Sequence, residues 1–258
     1  GFERRTNPKL SMDEADFVTA ATPERLPPYM ETVHHLNTFG GPPLGSLRRP
    51  AALPPGDFAR LVPQAQVVDA RPTTCFATSH VPGALSLHPE GFFTYAGWFL
   101  SYERPVLLVC EPWQLDHTVT LLHRLGVDRI DAYLAGGMIA WHTAALPAER
   151  TLTMPVNDAC ARLDEDASRW VLDVRRPGEL ATKGVIHGAH NIPLQELEGR
   201  LDEVPSDRNI YIFCGSGVRS GVAASVLARE RGIQSTVMLG GFAGWSSTAC
   251  SYEPPGQE

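Results

Sequence analysis

Short apolar runs alternate with helical patterns along this 258-residue chain. In the last hundred residues, the runs over 170–174, 209–214 and 236–239 are rich in β-branched and apolar residues, which predicts buried strands. Residues 221–231 place apolar side chains at helical spacing and predict a helix between the last two strands. Strands that alternate with helices predict an α/β fold with a mainly parallel sheet and helices on both of its faces.

The pattern occurs twice along the chain. Three landmark pairs share one offset of 104 residues (214 − 110 = 104), and they are Asp69 with Asp173, Cys110 with Cys214, and Trp141 with Trp245. One offset across three landmarks indicates a duplicated domain, and each copy is long enough to hold its own core. We therefore expect an arm or linker over 1–50, one domain over 51–148 and a second domain over 149–258.

The arm differs in composition from the two copies. Residues 13–19 are predicted to form a short helix that Ser11 caps. Residues 22–50 are rich in proline and glycine, which predicts an extended linker or an arm packed on a neighbour. At the other end of the chain, residues 254–258 are expected to be disordered.

Charge and cysteine content narrow the class of protein. The net charge of −7 and the pI near 5.7 argue against nucleic acid or an anionic membrane as the main partner. The five cysteines are odd in number, scattered and without a Cys-x-x-Cys pair, so neither a disulfide framework nor a zinc site is expected, and a reducing cytoplasm fits best. Cys75, Cys160 and Cys250 are interpreted as ordinary core or surface cysteines, with Cys250 as an alternative second carrier of sulfur if its thiol is exposed.

The loop after the predicted strand over 209–214 carries the candidate chemistry. Cys214 ends that strand, and glycines at 215 and 217 allow successive backbone N–H groups to converge into a nest that binds an anion or stabilises a thiolate. The following helix N-terminus and Arg219 are expected to favour the thiolate form. Cys214 is therefore the candidate nucleophile. The rest of the candidate loop is Gly215, Ser216, Gly217, Val218, Arg219 and Ser220.

Both copies resemble rhodanese domains, the sulfurtransferase fold. In the second copy the resemblance covers nearly the whole length, and it is carried by Asp173-Val174-Arg175, Pro177, Glu179, Ile186, Gly188-Ala189, Ile192-Pro193, the 214–220 loop, and Gly240-Gly241 with Trp245. The second copy departs from the family at Val185 and His187, where the family has histidine and proline, and we interpret this as a local surface change. The resemblance implies a mainly parallel five-stranded sheet in each copy.

The resemblance also implies transfer of sulfane sulfur in two half-reactions. Cys214 would accept sulfur from thiosulfate or a low-molecular-weight persulfide, carry it as a persulfide, and pass it to a thiol or to cyanide, with no other cofactor and no metal. Arg219 would attract the anionic donor or hold the loop by hydrogen bonds. Ser216 and Ser220 would add hydroxyl donors or cap the helix.

Two further residues are expected to support the loop. Arg175 either orients it from a neighbouring strand end or forms a surface ion pair. Asp173 is interpreted as structural, with bonds to nearby backbone groups. Gly240-Gly241 and Trp245 are interpreted as a turn and a packing anchor, because the first copy has them too.

The first copy keeps the scaffold but changes the loop. The residues after Cys110 are Glu111, Pro112, Trp113, Gln114, Leu115 and Asp116. No glycine or arginine is present, and two acids are added, which predicts a higher pKa for the Cys110 thiol and repulsion of an anion. We interpret the first copy as an inactive rhodanese domain and Cys110 as a buried strand-end residue.

Two other functions stay open for the second copy. Cell-cycle dual-specificity phosphatases share this fold and use a Cys-x5-Arg loop, whereas Cys214 and Arg219 have Cys-x4-Arg spacing. The shorter loop gives a smaller nest, which suits sulfur on the cysteine better than a tetrahedral phosphate. The second alternative is a non-catalytic docking or scaffold module for an attached hydrolase.

The arm carries a weaker resemblance. "NPKL", "EADFV" and "LPPYMETVHHLNTFGGPPL" are similar to the C-terminal tail of metallo-β-lactamase-fold hydrolases fused to rhodanese domains, a group that includes persulfide dioxygenases. The His-x-His-x-Asp-His motif of that fold is absent from this sequence. We expect the chain to be the rhodanese part of such a fusion. The expected partners are a small anionic sulfur donor, a thiol acceptor, and a metallo-hydrolase domain or a second copy of the chain.

Overall fold

The computed structural model of the protein describes residues 6–21, 26–43, 46–166 and 168–255. In the arm, a 3-10 turn at Pro8–Ser11 is followed by helices α1 (Glu14–Ala21) and α2 (Tyr29–Phe39). Asp13, rather than the predicted Ser11, caps α1, because its Oδ1 accepts a hydrogen bond from Asp16 N at 2.8 Å. The Ser11 hydroxyl instead donates back to the Pro8 carbonyl.

Of the two expectations for residues 22–50, the extended linker is wrong for α2, whereas the arm packed on a neighbour fits it. One face of this helix packs on the first domain, where Tyr29 lies against the apolar core and Thr32 hydrogen-bonds the Tyr102 hydroxyl. Tertiary packing of that face stabilises a helix that its proline-rich surroundings do not suggest. Residues 22–25 and 44–45 of the arm lie outside the described residues.

The first domain is built on a five-stranded parallel sheet. Its strand order is β1-β5-β4-β2-β3. The strands are β1 (Ala51–Leu53), β2 (Gln66–Asp69), β3 (Leu85–Ser86), β4 (Val106–Val109) and β5 (Ile130–Leu134). The helices are α3 (Pro55–Leu61), α4 (Thr73–Thr78), α5 (Gly97–Phe99), α6 (Leu115–Arg124) and α7 (Gly137–Thr143), with a π-helical turn at Phe92–Ala96.

The second domain repeats this topology with the order β6-β10-β9-β7-β8, again all parallel. Its strands are β6 (Leu152–Pro155), β7 (Arg169–Asp173), β8 (His190–Asn191), β9 (Asn209–Phe213) and β10 (Ser235–Leu239). Its helices are α8 (Val156–Glu165), α9 (Pro177–Lys183), α10 (Val218–Arg231) and α11 (Gly241–Trp245), with 3-10 turns over Leu194–Glu203. The predicted fold class, two tandem α/β domains that each contain a five-stranded parallel sheet flanked by helices, is confirmed.

The two domains share one of three apolar cores. Two cores lie within single domains, one around Phe58 and Trp141 and the other around Phe213 and Trp245. The largest core draws buried side chains from both domains. Helix α10 crosses this boundary and packs on β3, where Ser225 Oγ accepts a hydrogen bond from Ser86 N at 3.1 Å. The helix that begins at the candidate loop is thus also the main contact between the domains.

The interpretation of Cys160 and Cys250 as free cysteines is wrong. They form a disulfide with a Cα–Cα distance of 5.8 Å. Cys250 is also buried, so the alternative role of Cys250 as an exposed second carrier of sulfur is wrong. The disulfide joins α8 to the segment after α11, and 90 residues of sequence separate its two ends. Sequence spacing therefore gives no signal for a contact that only the tertiary fold creates.

The C-terminal segment is held at residue 253. Glu253 and Val185 exchange two backbone hydrogen bonds, of 2.8 and 2.9 Å. Of the tail predicted to be disordered, residues 256–258 lie outside the described residues. Within the described part of the chain, no helix combines the length and apolar character needed to cross a bilayer.

Candidate active site

Cys214 lies directly after the carboxyl end of β9, at the base of the loop that leads into α10. The side chain is buried, and its Sγ accepts a hydrogen bond from the backbone N–H of Gly217 at 3.1 Å. Gly217 has φ +117°, a left-handed conformation that strains any residue with a Cβ. The loop therefore turns a backbone donor back onto the sulfur, which is the geometry that stabilises a thiolate or a persulfide anion.

Helix α11 holds the outer side of the same loop. Phe242 N donates to the Cys214 carbonyl at 2.7 Å, and Ala243 N donates to the Gly215 carbonyl at 3.0 Å. Gly241 is required for this approach, since a Cβ there would lie 2.5 Å from the Cys214 carbonyl oxygen. Two loop carbonyls are thus bound on this side, while the N–H of Gly217 points to the sulfur. The sequence interpretation of Gly240-Gly241 as a plain turn missed this clamp.

Arg219 is tied to Glu179 of α9 by two hydrogen bonds. Its NH2 group donates to Glu179 Oε1 at 2.8 Å and its NH1 group to Oε2 at 2.5 Å. Both side chains are largely buried, and the hydrogen bonds from Arg219 lower the pKa of Glu179 to about 2. The contact matches the second expected role of Arg219, holding the loop, and it leaves little uncompensated charge to attract a donor. Sequence reasoning quoted Glu179 in the motif but did not assign it to the site.

Asp173 and Arg175 form a buried pair beneath the loop. Arg175 is fully buried, so its interpretation as a surface ion pair is wrong. Its Nε and NH2 groups bond the Asp173 carboxylate at 3.0 and 2.7 Å, and NH2 also donates to the Gly184 carbonyl. Its guanidinium carbon lies 4.0 Å from the centroid of the Phe242 ring. Arg175 thus supports the residue whose N–H clamps the Cys214 carbonyl.

The remaining loop residues have different environments. Ser216 is exposed, Gly215 and Val218 are half-buried, and Ser220 is buried in the first turn of α10. Neither serine caps the helix, because the N-cap position is Gly217. The Ser220 hydroxyl is buried and has no hydrogen-bond partner among the described residues.

The corresponding site of the first domain lacks the nest. Cys110 follows β4 and is buried, and the pKa of its thiol is raised to about 12, mainly by burial and then by the charges of Asp69 and Glu111. A 3-10 turn at Pro112–Gln114 replaces the glycine loop, and Gln114 Oε1 accepts from Glu111 N at 3.0 Å. The supporting ion pair persists, with Arg71 NH2 2.6 Å from Asp69 Oδ2.

Comparison with known proteins identifies the family. The sequence model of the rhodanese-like domain matches residues 55–144 and 156–248. The chain therefore belongs to the rhodanese-like family, through two copies of the domain. Within the described residues, no group of three or more histidine, cysteine, aspartate or glutamate side chains is placed to hold a metal ion.

Individual relatives match over parts of the chain. The uncharacterized protein YqhL of Bacillus subtilis (strain 168) is 40% identical over 75 residues, which are 29% of this chain and 59% of YqhL. A sulfurtransferase of Allochromatium vinosum is 32% identical over 85 residues, which are 33% of this chain and 78% of that protein. The structure of a thiosulfate sulfurtransferase from Pseudomonas aeruginosa aligns with 81% of this chain and 44% of its own, at 22% identity and a TM-score of 0.36.

Proposed function

We propose that the protein is a sulfurtransferase that moves sulfane sulfur from thiosulfate or a low-molecular-weight persulfide to a thiol or to cyanide. The observation that carries the proposal is the contact of Gly217 N with Cys214 Sγ, in a loop whose carbonyls bond to α11 on the other side. Membership of the rhodanese-like family and the similarity of part of the chain to a sulfurtransferase of Allochromatium vinosum support the same reaction.

The first half-reaction loads Cys214. Its thiolate attacks the outer sulfur of the donor, an Sγ–S bond forms, and the donor S–S bond breaks. The electron pair leaves with sulfite when the donor is thiosulfate, or with a thiolate when it is a persulfide. In the second half-reaction the acceptor thiolate or cyanide attacks the terminal sulfur, and Cys214 leaves as the thiolate. Loop N–H groups, with Gly217 N first, stabilise the anion at each stage.

A cysteine phosphatase is the competing enzyme of the same fold. Its reaction needs an arginine fork free to bind the equatorial oxygens of a phosphate. In this loop both terminal nitrogens of Arg219 are bonded to Glu179. That contact, together with the Cys-x4-Arg spacing, favours sulfur transfer over phosphate hydrolysis.

A non-catalytic docking module is the other alternative. It suits the first domain, where Cys110 has a raised pKa and no arginine partner. It suits the second domain less well, because docking does not require a loop in which the left-handed conformation of Gly217 directs an N–H at the cysteine sulfur.

A steady-state assay separates these functions. Thiocyanate formation from thiosulfate and cyanide should follow ping-pong kinetics, be absent in Cys214→Ser and persist in Cys110→Ser. Hydrolysis of an aryl phosphate that Cys214→Ser abolishes would favour the phosphatase. Absence of both activities in the wild-type chain would favour the docking module.

The proposal also covers an attached domain and the cellular location of the protein. We propose an attached metallo-hydrolase domain, supported by the resemblance of the arm and by its exposed apolar side chains at Leu10, Phe17 and Val18. We also propose a cytoplasmic location, where Cys214 stays reduced. The Cys160–Cys250 disulfide is the observation against that location, because disulfides are rare in a reducing compartment.

A further inference from the structure

The first domain reaches the active-site loop of the second through the segment over 88–96. Within it, the π-helical turn Phe92–Ala96 places Tyr95 at the domain boundary. A Cβ on Gly91 would lie 2.8 Å from Tyr95 Cδ2 and 3.7 Å from Val218 Cγ1, so all three residues meet at one point. π-Helical turns occur often at functional sites. Through this meeting point the Tyr95 ring lies near the loop residue Val218.

A cavity of about 240 Å³ lies between this segment and the loop. The first domain lines it with Thr73, Thr74, His88 and Glu90, and the second domain lines it with residues 216–218. The volume suits a small thiol, and the second-domain wall is the loop that would carry the persulfide. Gly217, whose N–H donates to Cys214 Sγ, belongs to this wall. A substrate that occupies the cavity would therefore contact both domains.

The charges around this cavity are unbalanced. Arg219 is paired with Glu179, and Arg175 is paired with Asp173. Glu90 is exposed, lines the cavity and has no ion pair within the described residues. Burial raises the pKa of Tyr95, the charge of Arg176 opposes that rise, and Lys183 lines a separate cavity beside Phe242. Neither Arg176 nor Lys183 lines the cavity that Glu90 lines. The carboxylate that lines this cavity is thus that of Glu90, and His88 is the other titratable side chain of the lining.

We propose that Glu90 of the first domain selects the thiol acceptor, and that the favoured acceptor is a small thiol that carries an ammonium group. The inference rests on the proposed function, since it names the acceptor class for that reaction. An ammonium group gains attraction from Glu90, whereas a carboxylate on an acceptor of equal size is repelled. The domain without a working loop then contributes specificity to its duplicate.

A single-turnover experiment tests this assignment. The full chain is loaded at Cys214 with thiosulfate, and sulfur discharge is followed with cysteamine and with 3-mercaptopropionate, each rate corrected for the thiolate fraction. The wild type should favour cysteamine, and Glu90→Gln should reduce the ratio of the two rates by about three- to ten-fold. The wild-type preference should also shrink at high salt. Glu103→Gln is the matched control, because Glu103 is exposed on the first domain just before β4, at the opposite end of the sheet.

The outcomes distinguish a failure of the acceptor assignment from a failure of the proposed sulfurtransferase function. If Cys214 loads but the ratio is the same in Glu90→Gln as in the wild type, the selectivity assignment is wrong and the sulfurtransferase function stands. An equal change in Glu103→Gln would assign the effect to overall charge and would also overturn it. Failure of Cys214 to load would overturn the proposed function, and the acceptor assignment with it.

Discussion

The loops after Cys110 and Cys214 follow equivalent strands, and each has a carboxylate–arginine pair beneath it, yet their surroundings differ at the sulfur. Cys214 accepts an N–H from Gly217. At the position equivalent to Gly217 the first domain has Trp113, whose side chain is 78% exposed. The scaffold is therefore insufficient for chemistry at the strand end, and about five loop residues decide whether the buried cysteine receives a backbone N–H, as Cys214 does, or lies near acidic groups, as Cys110 does.

The largest expected difference between the two sites is in thiol reactivity. The pKa of Cys110 is raised to about 12, so at pH 8 its thiolate fraction should be about a thousand-fold below that of an ordinary cysteine. Iodoacetamide at pH 8, read by peptide mass spectrometry, should modify exposed Cys75 and leave Cys110 unmodified. Equal rates at Cys75 and Cys110 would contradict the raised pKa of the Cys110 thiol, on which the first half of the comparison between the loops rests.

The next largest effect concerns the backbone donor. Gly217→Ala introduces a Cβ at φ +117° and displaces the N–H from Cys214 Sγ, so kcat/KM for sulfur transfer should fall by about a hundred-fold. The matched control is Trp113→Gly, the equivalent position of the first domain, which should leave that activity within about two-fold of the wild type. A similar loss in both variants would mean that the donor at residue 217 is not what distinguishes the loops.

A smaller effect, on the free energy of unfolding, is expected at the ion pair between Arg219 and Glu179, which the first domain lacks. Glu179→Gln should lower the free energy of unfolding by about 1–3 kcal/mol at pH 7, because Arg219 loses a largely buried partner. The folded-state pKa of Glu179 is depressed from 4.5 to about 2, so its contribution is present above pH 4.5 and is lost as the pH falls towards 2. Urea titrations should therefore show the two proteins converging between pH 4.5 and 2, and a difference that stays constant would contradict this linkage.

The sequence predicted those parts of the fold that depend on local residue patterns or on the internal repeat. The strands ending at Asp173 and Phe213 and the helix after Gly217 follow from apolar spacing and glycine chemistry, and the offset of 104 residues exposed the duplication (214 − 110 = 104). Hydrophobic periodicity indicates which face of a helix or strand is buried. Strands of a parallel sheet are buried on both faces, so they occur in the sequence as nearly continuous apolar runs.

The features that the sequence did not predict are contacts between distant segments. Glu179 and Arg219 are 40 residues apart, and Cys160 and Cys250 are 90 residues apart. The burial of Arg175 under Phe242 and the helix Tyr29–Phe39 in the arm likewise depend on what packs against them. A pattern of residue types contains no record of such partners, so the candidate loop could be proposed from sequence, whereas the hydrogen bonds and ion pairs that hold it could not.

Mass spectrometry of the chain after incubation with thiosulfate tests the central claim most directly. We expect one added sulfur atom per chain, mapped to Cys214, absent from Cys214→Ser and retained in Cys110→Ser. Added sulfur on Cys110, or sulfur that persists in Cys214→Ser, would contradict the division into one working loop and one inactive loop.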